Sequence, residues 1–133
     1  MIVEYLETSA LLRLLLGQEG AEEVRGRLAR AEHAVSSRLL EVEADRALLR
    51  ILLDRPGSGT LVADMRREFT GHLRPRITFF EITREICVTA GRVAPASRLR
   101  ALDAIHIATF LNARELSKDV RMLSFDERIL SAL

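Results

Sequence analysis

Apolar residues along this chain fall in short blocks that alternate between two periods. Ile2 to Leu6 is a brief β-rich run closed by Glu7-Thr8-Ser9, which predicts a buried strand followed by a helix that Thr8 or Ser9 caps. Ala21 to Ala31 ("AEEVRGRLARA") has the period of a polar-faced helix. Ala34 to Ser37 predicts a second strand, which feeds a long helix from Leu39 to Leu53 that stops at the breaker Arg55-Pro56-Gly57-Ser58-Gly59. Thr60 to Thr70 reads as a helix, Ile77 to Phe79 as a third strand, and Thr83 to Val93 as another helix. "APASRLRAL" is an irregular connection into a helix from Asp103 to Glu115, apolar on nearly every side and therefore expected at the centre of the fold. Val120 to Ser124 is the last strand and Glu127 to Leu133 a closing helix.

Short strands alternating with helices predict an α/β fold, a short central parallel sheet flanked by helices on both faces. No repeat, low-complexity tract or linker divides the chain, so residues 1–133 are expected to form one domain. In open parallel sheets, sites form beyond the carboxyl ends of the strands. Acids that directly follow strands are therefore the first place to look for chemistry.

Glu7 follows the first strand and Asp126 ("LSFDERIL") the last. Asp103 opens the buried helix "LDAIHIATFL", and Glu43 lies in the long helix one turn in from the second strand. Glu41 competes with Glu43: the two sit on opposite shoulders of the stripe Leu40, Ala44, Ala47, Leu48 and Ile51, and periodicity leaves the choice open. Each acid also has a purely structural role available. Asp103 and Asp126 suit helix N-caps, Glu7 suits the dipole of a helix start, and Glu43 can pair with Arg46 at i+3. Four carboxylates converging on one point repel and raise one another's pKa values. A divalent cation resolves that conflict. Mg²⁺ and Mn²⁺ prefer oxygen ligands, and such an ion polarises a phosphoryl oxygen and acidifies a bound water.

Composition narrows the field only modestly. With 48% hydrophobic and 29% charged residues the chain is globular, and a net charge of +1 does not announce a nucleic-acid binder. Lys118 is the only lysine, so the cationic side is almost all arginine, the better fork for phosphate oxygens. Arg13, Arg38, Arg46, Arg92, Arg98 and Arg100 lie near the acidic segments in sequence. No aromatic-rich strand offers a base-stacking platform of the kind single-strand nucleic-acid binders use. Cys87 is the only cysteine and sits in an apolar helical stretch, so a small buried hydrophobe is expected there and no thiolate metal site. His106 is expected to be a buried histidine satisfied by backbone, with a hydrogen bond to the Asp103 carboxylate as the other option. The run Ala10 to Leu16, interrupted by Arg13, is too short to span a bilayer, and no basic leader precedes it, so a cytoplasmic protein without membrane contact is expected.

Two small-domain alternatives fail on chemistry. A phosphorylation receiver needs a lysine after its last strand, whereas Lys118 precedes it, and no second acid is paired with Glu7. "PGSGT" lacks the lysine of a nucleotide-phosphate loop and serves as a breaker between helices.

Four segments taken in order resemble the PIN-domain family, in particular the VapC-type toxins of bacterial toxin–antitoxin pairs. "YLETSALLRLL" is similar to the family's opening strand and first acid. "VSSRLLEVE" resembles its second acidic segment, and aligning the two serines selects Glu43 over Glu41. "LRALDAIHIAT" resembles the third, and "MLSFDERIL" the final strand with Ser124 and Asp126 in its polar positions. The resemblance implies a metal-dependent endoribonuclease in which Mg²⁺, or Mn²⁺, is held by Glu7, Glu43, Asp103 and Asp126 and activated water cleaves an RNA phosphodiester. It assigns Ser124 an accessory hydrogen bond to water or carboxylate. Thr8 is expected to cap the first helix. The resemblance further implies a homodimer silenced by a small cognate antitoxin, acting on a structured RNA such as a tRNA. The family places Asp where this chain has Glu7. The extra methylene pushes that carboxylate outward, and Mg²⁺ tolerates little change in ligand position. The alternative function is therefore a weak or inactive PIN-like module that binds antitoxin or RNA.

Overall fold

Four strands, all parallel, form the centre of the computed structural model, which describes residues 1–133. They are β1 (Val3–Leu6), β2 (His33–Ser37), β3 (Ile77–Phe80) and β4 (Val120–Leu123), in spatial order β3-β2-β1-β4. In register, Tyr5 lies opposite Val35 on one side and Met122 on the other, and Leu6 opposite Leu123. The chain builds outward from β1 through β2 to β3, then returns to add β4 on the far side of β1. The direction of winding thus reverses between β1 and β4, where an open α/β sheet leaves a crevice at the carboxyl ends of its strands.

Alternation along β1 sends its side chains to two separate cores. Leu6 joins Ala10 and Leu11 of α1 (Thr8–Leu16), Val24 and Leu28 of α2 (Ala21–Arg30), and Leu40 and Ala44 of α3 (Leu39–Asp54). Val3 and Tyr5 join Ile107, Phe110 and Ala113 of α6 (Ala101–Leu116) and Ile129 of α7 (Glu127–Ser131) on the opposite face. Helices therefore cover both faces of the sheet, as the strand–helix alternation predicts. Leu48 of α3 packs with Val62 and Met65 of α4 (Gly59–Glu68) in a smaller third cluster.

Glu4 interrupts the apolar run of β1 and is fully buried. Arg27 of α2 grips it with Nε at 3.1 Å and Nη2 at 2.6 Å, and Arg121 of β4 adds a bond at 2.5 Å. A carboxylate withdrawn from water requires such partners, because burying it alone costs far more than any packing gain returns.

Several boundaries and three local roles differ from the sequence expectation. The α4 winding continues past Thr70 through a π-helical turn, Phe69–Leu73, and a 3-10 turn, Arg74–Arg76, because Phe69 and Leu73 are drawn into the first core. The helix expected to reach Val93 is the shorter α5 (Arg84–Ala90), capped by the Thr83 side chain accepting from Ile86 N. Cys87 is exposed rather than buried: α5 turns Ile86 inward, and the next residue faces outward. α1 is capped neither by Thr8 nor by Ser9 but by Glu7, whose carboxylate accepts from Ser9 N at 3.1 Å. Asp103 is not an N-cap either, since α6 begins at Ala101 with Arg100 in the cap position.

Candidate active site at the carboxyl end of the sheet

Glu7, Thr8 and Ser9 are carried past the end of β1 by the turn into α1, and their side chains join the hydrogen-bond network there. Glu7 is buried. Its Oε1 accepts from the Ser9 hydroxyl and from the Ser124 hydroxyl, the latter at 2.5 Å, in addition to the capping bond at Oε2. Ser9 Oγ accepts in turn from Phe125 N at 2.8 Å, and Ser124 Oγ from Asp126 N at 3.0 Å. The ends of β1 and β4 are thus stitched together around one carboxylate.

A second carboxylate enters from α3. Ser37 Oγ at the end of β2 accepts from Leu39 N at 3.0 Å, and Ser36 Oγ donates to Leu6 O at 2.6 Å, so the paired serines fix how α3 leaves the sheet. One turn later, Glu43 Oε1 accepts from Thr8 Oγ1 at 2.5 Å and lies 2.6 Å from His106 Nε2. The alternative pairing of Glu43 with Arg46 is not formed: Glu43 faces inward while Arg46 is exposed. Glu41 goes elsewhere and pairs with Arg38 and Arg74, which separates the two glutamates that helical periodicity left equivalent. Burial pushes the Glu43 carboxyl upward. Hydrogen bonds from His106 and Thr8, with the charges of His106 and Arg100, outweigh it and hold Glu43 below its ordinary value.

His106 is buried, but its partners are side chains, not backbone and not Asp103. Besides Glu43, its ring meets the Tyr5 hydroxyl at Nδ1, 2.9 Å, and Thr8 Oγ1 at 3.3 Å from Nε2. Burial drives the Tyr5 phenol far above its usual range, so it remains an O–H donor. Asp103, also buried, sits one turn before His106 and accepts from Arg100 Nε at 3.2 Å. Asp126 caps α7 by accepting from Arg128 N at 2.9 Å.

Tyr5, Ser9 and His106 were not among the residues singled out for the site. A signal for two of them exists: a lone imidazole in an otherwise apolar central helix needs polar partners, and the chain's one tyrosine lies on the strand that the helix covers. Ser9 carried no such signal. Of the six arginines considered for RNA contacts, Arg38 is tied to Glu41 and Glu81, Arg100 to Asp103, and Arg13 stacks over Phe125 with its Cζ 4.4 Å from the ring centroid. Arg46, Arg92 and Arg98 form no ion pair. A cleft of about 480 Å³ lies between α3 and α4 but contains none of the four acids.

The donor set is all oxygen, four carboxylates with the Thr8 and Ser124 hydroxyls close by, and that chemistry fits a hard divalent cation. No three Asp, Glu, His or Cys side chains converge at ligating distance in this conformation. Each acid has a hydrogen-bond partner, and no buried side-chain nitrogen or oxygen is left unsatisfied.

A parallel sheet with this strand order, with Glu7 and Asp126 just beyond the carboxyl ends of its strands, defines a class of α/β proteins that work at the carboxyl edge. The family model for the PIN domain matches residues 5–132. The chain is 30% identical over 133 residues to Ribonuclease VapC46 of Mycobacterium tuberculosis strain H37Rv, covering 99% of this chain and 91% of that protein. It is likewise 30% identical over 132 residues to Ribonuclease VapC47 of M. tuberculosis strain CDC 1551, covering 96% and 87%. The chain therefore belongs to the PIN-domain family and is of the VapC type.

Proposed function

We propose that this chain, taken as one PIN-like domain over residues 1–133, is a cytoplasmic Mg²⁺- or Mn²⁺-dependent endoribonuclease and the toxin of a toxin–antitoxin pair. The observation that carries this reading is the grouping of Glu7 and Glu43, each steadied by hydroxyl donors, where β1 meets β4. The ribonuclease names of the two mycobacterial relatives support the reaction class. Glu7, Glu43, Asp103 and Asp126 are the residues that would hold the ion, with Ser124 and Thr8 as accessory hydrogen-bonders. A divalent cation there supplies Lewis-acid polarisation of the phosphodiester and an acidified water.

The chain's own residues prepare that chemistry. Glu43 is kept ionised by Thr8 and His106 and is thus ready to act as an anionic oxygen donor. Glu7 is restrained by Ser9 and Ser124, so its added methylene does not leave it free to swing into solvent. Arg100, largely exposed beside Asp103, offers a guanidinium to an RNA phosphate. The reading includes a structured RNA substrate, tRNA among the options, a small cognate antitoxin, and a homodimer. Exposed Val42, Leu49 and Leu53 on α3 and Leu61 on α4 supply apolar surface for protein contacts. No helix of the chain is long and apolar enough to cross a membrane.

A second reading rests on one residue. Glu7 occupies the position where the family resemblance places Asp, and it is engaged as a helix cap, which favours a weakly active module that binds antitoxin or RNA. Cleavage of a panel of structured RNAs in Mg²⁺, in Mn²⁺ and in chelator separates the two. The first reading predicts cleavage in at least one ion, lost on chelation and regained on adding the ion back. Cleavage that persists in chelator contradicts it, and RNA binding without cleavage in either ion selects the module.

A further inference from the structure

Glu43 is held by one oxygen only. Oε1 receives both the Thr8 hydroxyl at 2.5 Å and His106 Nε2 at 2.6 Å, while Oε2 has no hydrogen-bond partner within the protein. The side chain retains about a quarter of its exposure, whereas His106 retains 1%. One carboxylate oxygen is therefore anchored and the other left free at the edge of the crevice.

The anchoring group is itself fixed from behind. Tyr5, fully buried on the central strand, meets Nδ1 at 2.9 Å, and its ring stands edge-on to the imidazole with centroids 6.0 Å apart and an interplanar angle of 87°. Phe110 packs on Tyr5 in the same manner at 5.9 Å and 79°. Because the ionised Glu43 carboxylate can only accept, Nε2–H donates to Glu43 Oε1 and Thr8 O–H donates to the same oxygen, while Nδ1 shares its hydrogen bond with the Tyr5 hydroxyl.

We infer that His106 is the positioning residue for Glu43, and that the Tyr5–His106 pair turns Glu43 so that Oε2 is the atom offered to the cation. This rests on the metal-dependent reading of the site given above, and it adds a residue that the resemblance to the family did not assign. A histidine that orients a metal-ligating carboxylate from behind acts as outer partners generally do, by fixing the ligand's direction rather than by touching the ion.

Two substitutions separate positioning from mere space-filling. In His106→Gln the amide nitrogen takes the place of Nε2 and still donates to Glu43. In His106→Asn the shorter amide remains beside Tyr5 but does not reach Glu43. Mn²⁺ titration by calorimetry, with thermal melts confirming that each variant is folded, is expected to leave His106→Gln close to the unaltered protein and to weaken His106→Asn about 10- to 100-fold. Equal affinities for the two variants overturn the inference. Nitrogen-15 spectra of the unaltered protein give a readout that needs no metal: a protonated Nε2 is expected, and an unprotonated Nε2 overturns it. Failure of the unaltered protein to bind Mn²⁺ strikes the metal reading instead, and the Nε2 proton then decides the His106–Glu43 relationship alone.

Discussion

The Ser124 hydroxyl donates to Glu7 Oε1 at 2.5 Å, joining the end of β4 to the end of β1 across 117 positions of chain. With Ser9 on the same carboxylate, the side chain of the longer acid folds back toward the helix it caps. Mg²⁺ demands nearly ideal octahedral geometry at about 2.1 Å, and a back-folded glutamate meets that demand less readily than a shorter side chain. Glu7→Asp is therefore expected to raise the ratio of Mg²⁺-supported to Mn²⁺-supported RNA cleavage. Asp also caps helices well, so the melting temperature should change little. Initial rates in the two ions check this, and a ratio that falls or stays constant contradicts it.

Glu43 gives the fold a dependence on acid. Its folded pKa lies below its ordinary value of 4.5, so the unfolded chain binds a proton before the native state does. The stability that Glu43 contributes is present above pH 4.5 and is lost as the pH falls through the depressed folded value. Glu43→Gln should flatten this part of the profile of unfolding free energy against pH, measured by urea titration at a series of pH values. An unchanged slope in the variant contradicts the assignment.

The ion pair beneath the sheet predicts a stability effect remote from the site. Removing Arg27 leaves Glu4 buried with Arg121 as its one remaining partner, and Arg121 is half exposed. Arg27→Met is expected to cost about 3 kcal/mol, the usual scale for breaking a buried charge pair. Arg121→Ala should cost about 1 kcal/mol or less, as exposed pairs do. Urea denaturation of both variants checks the order, and a reversal of it contradicts this account of how Glu4 is held.

Much of the fold was legible because its strands are short apolar runs bounded by polar turns, and its central helix is apolar nearly all round. Both features follow from burial in a parallel sheet covered on two faces. The place of the acids was legible for the same topological reason, since Glu7, Ser124 and Asp126 directly follow strands. What sequence hid was direction. Helical periodicity left Glu41 and Glu43 equivalent; the family resemblance selected Glu43, and the meeting of α3 with Thr8 and His106 is what turns it inward. The capping role of Glu7 was hidden because Thr8 and Ser9 are the better caps by residue type, yet the site draws both hydroxyls away toward carboxylates. His106 was misjudged because its partners, Tyr5 and Glu43, lie 101 and 63 positions away. Exposed Cys87 was missed because an apolar neighbourhood in sequence does not state which face of a short helix is covered.

Asp103 is the residue on which the central claim is most directly tested. It is buried at the mouth of the site, and its one ion pair, with a largely exposed Arg100, contributes about 1 kcal/mol or less, so its removal should leave the fold intact. Cleavage of a structured RNA by the unaltered protein and by Asp103→Ala, compared in Mn²⁺ with equal melting temperatures confirmed, is the measurement. The predicted result is that the variant falls to the level of chelator-treated protein. Cleavage by Asp103→Ala at the rate of the unaltered protein would contradict a metal-dependent ribonuclease built on these four acids.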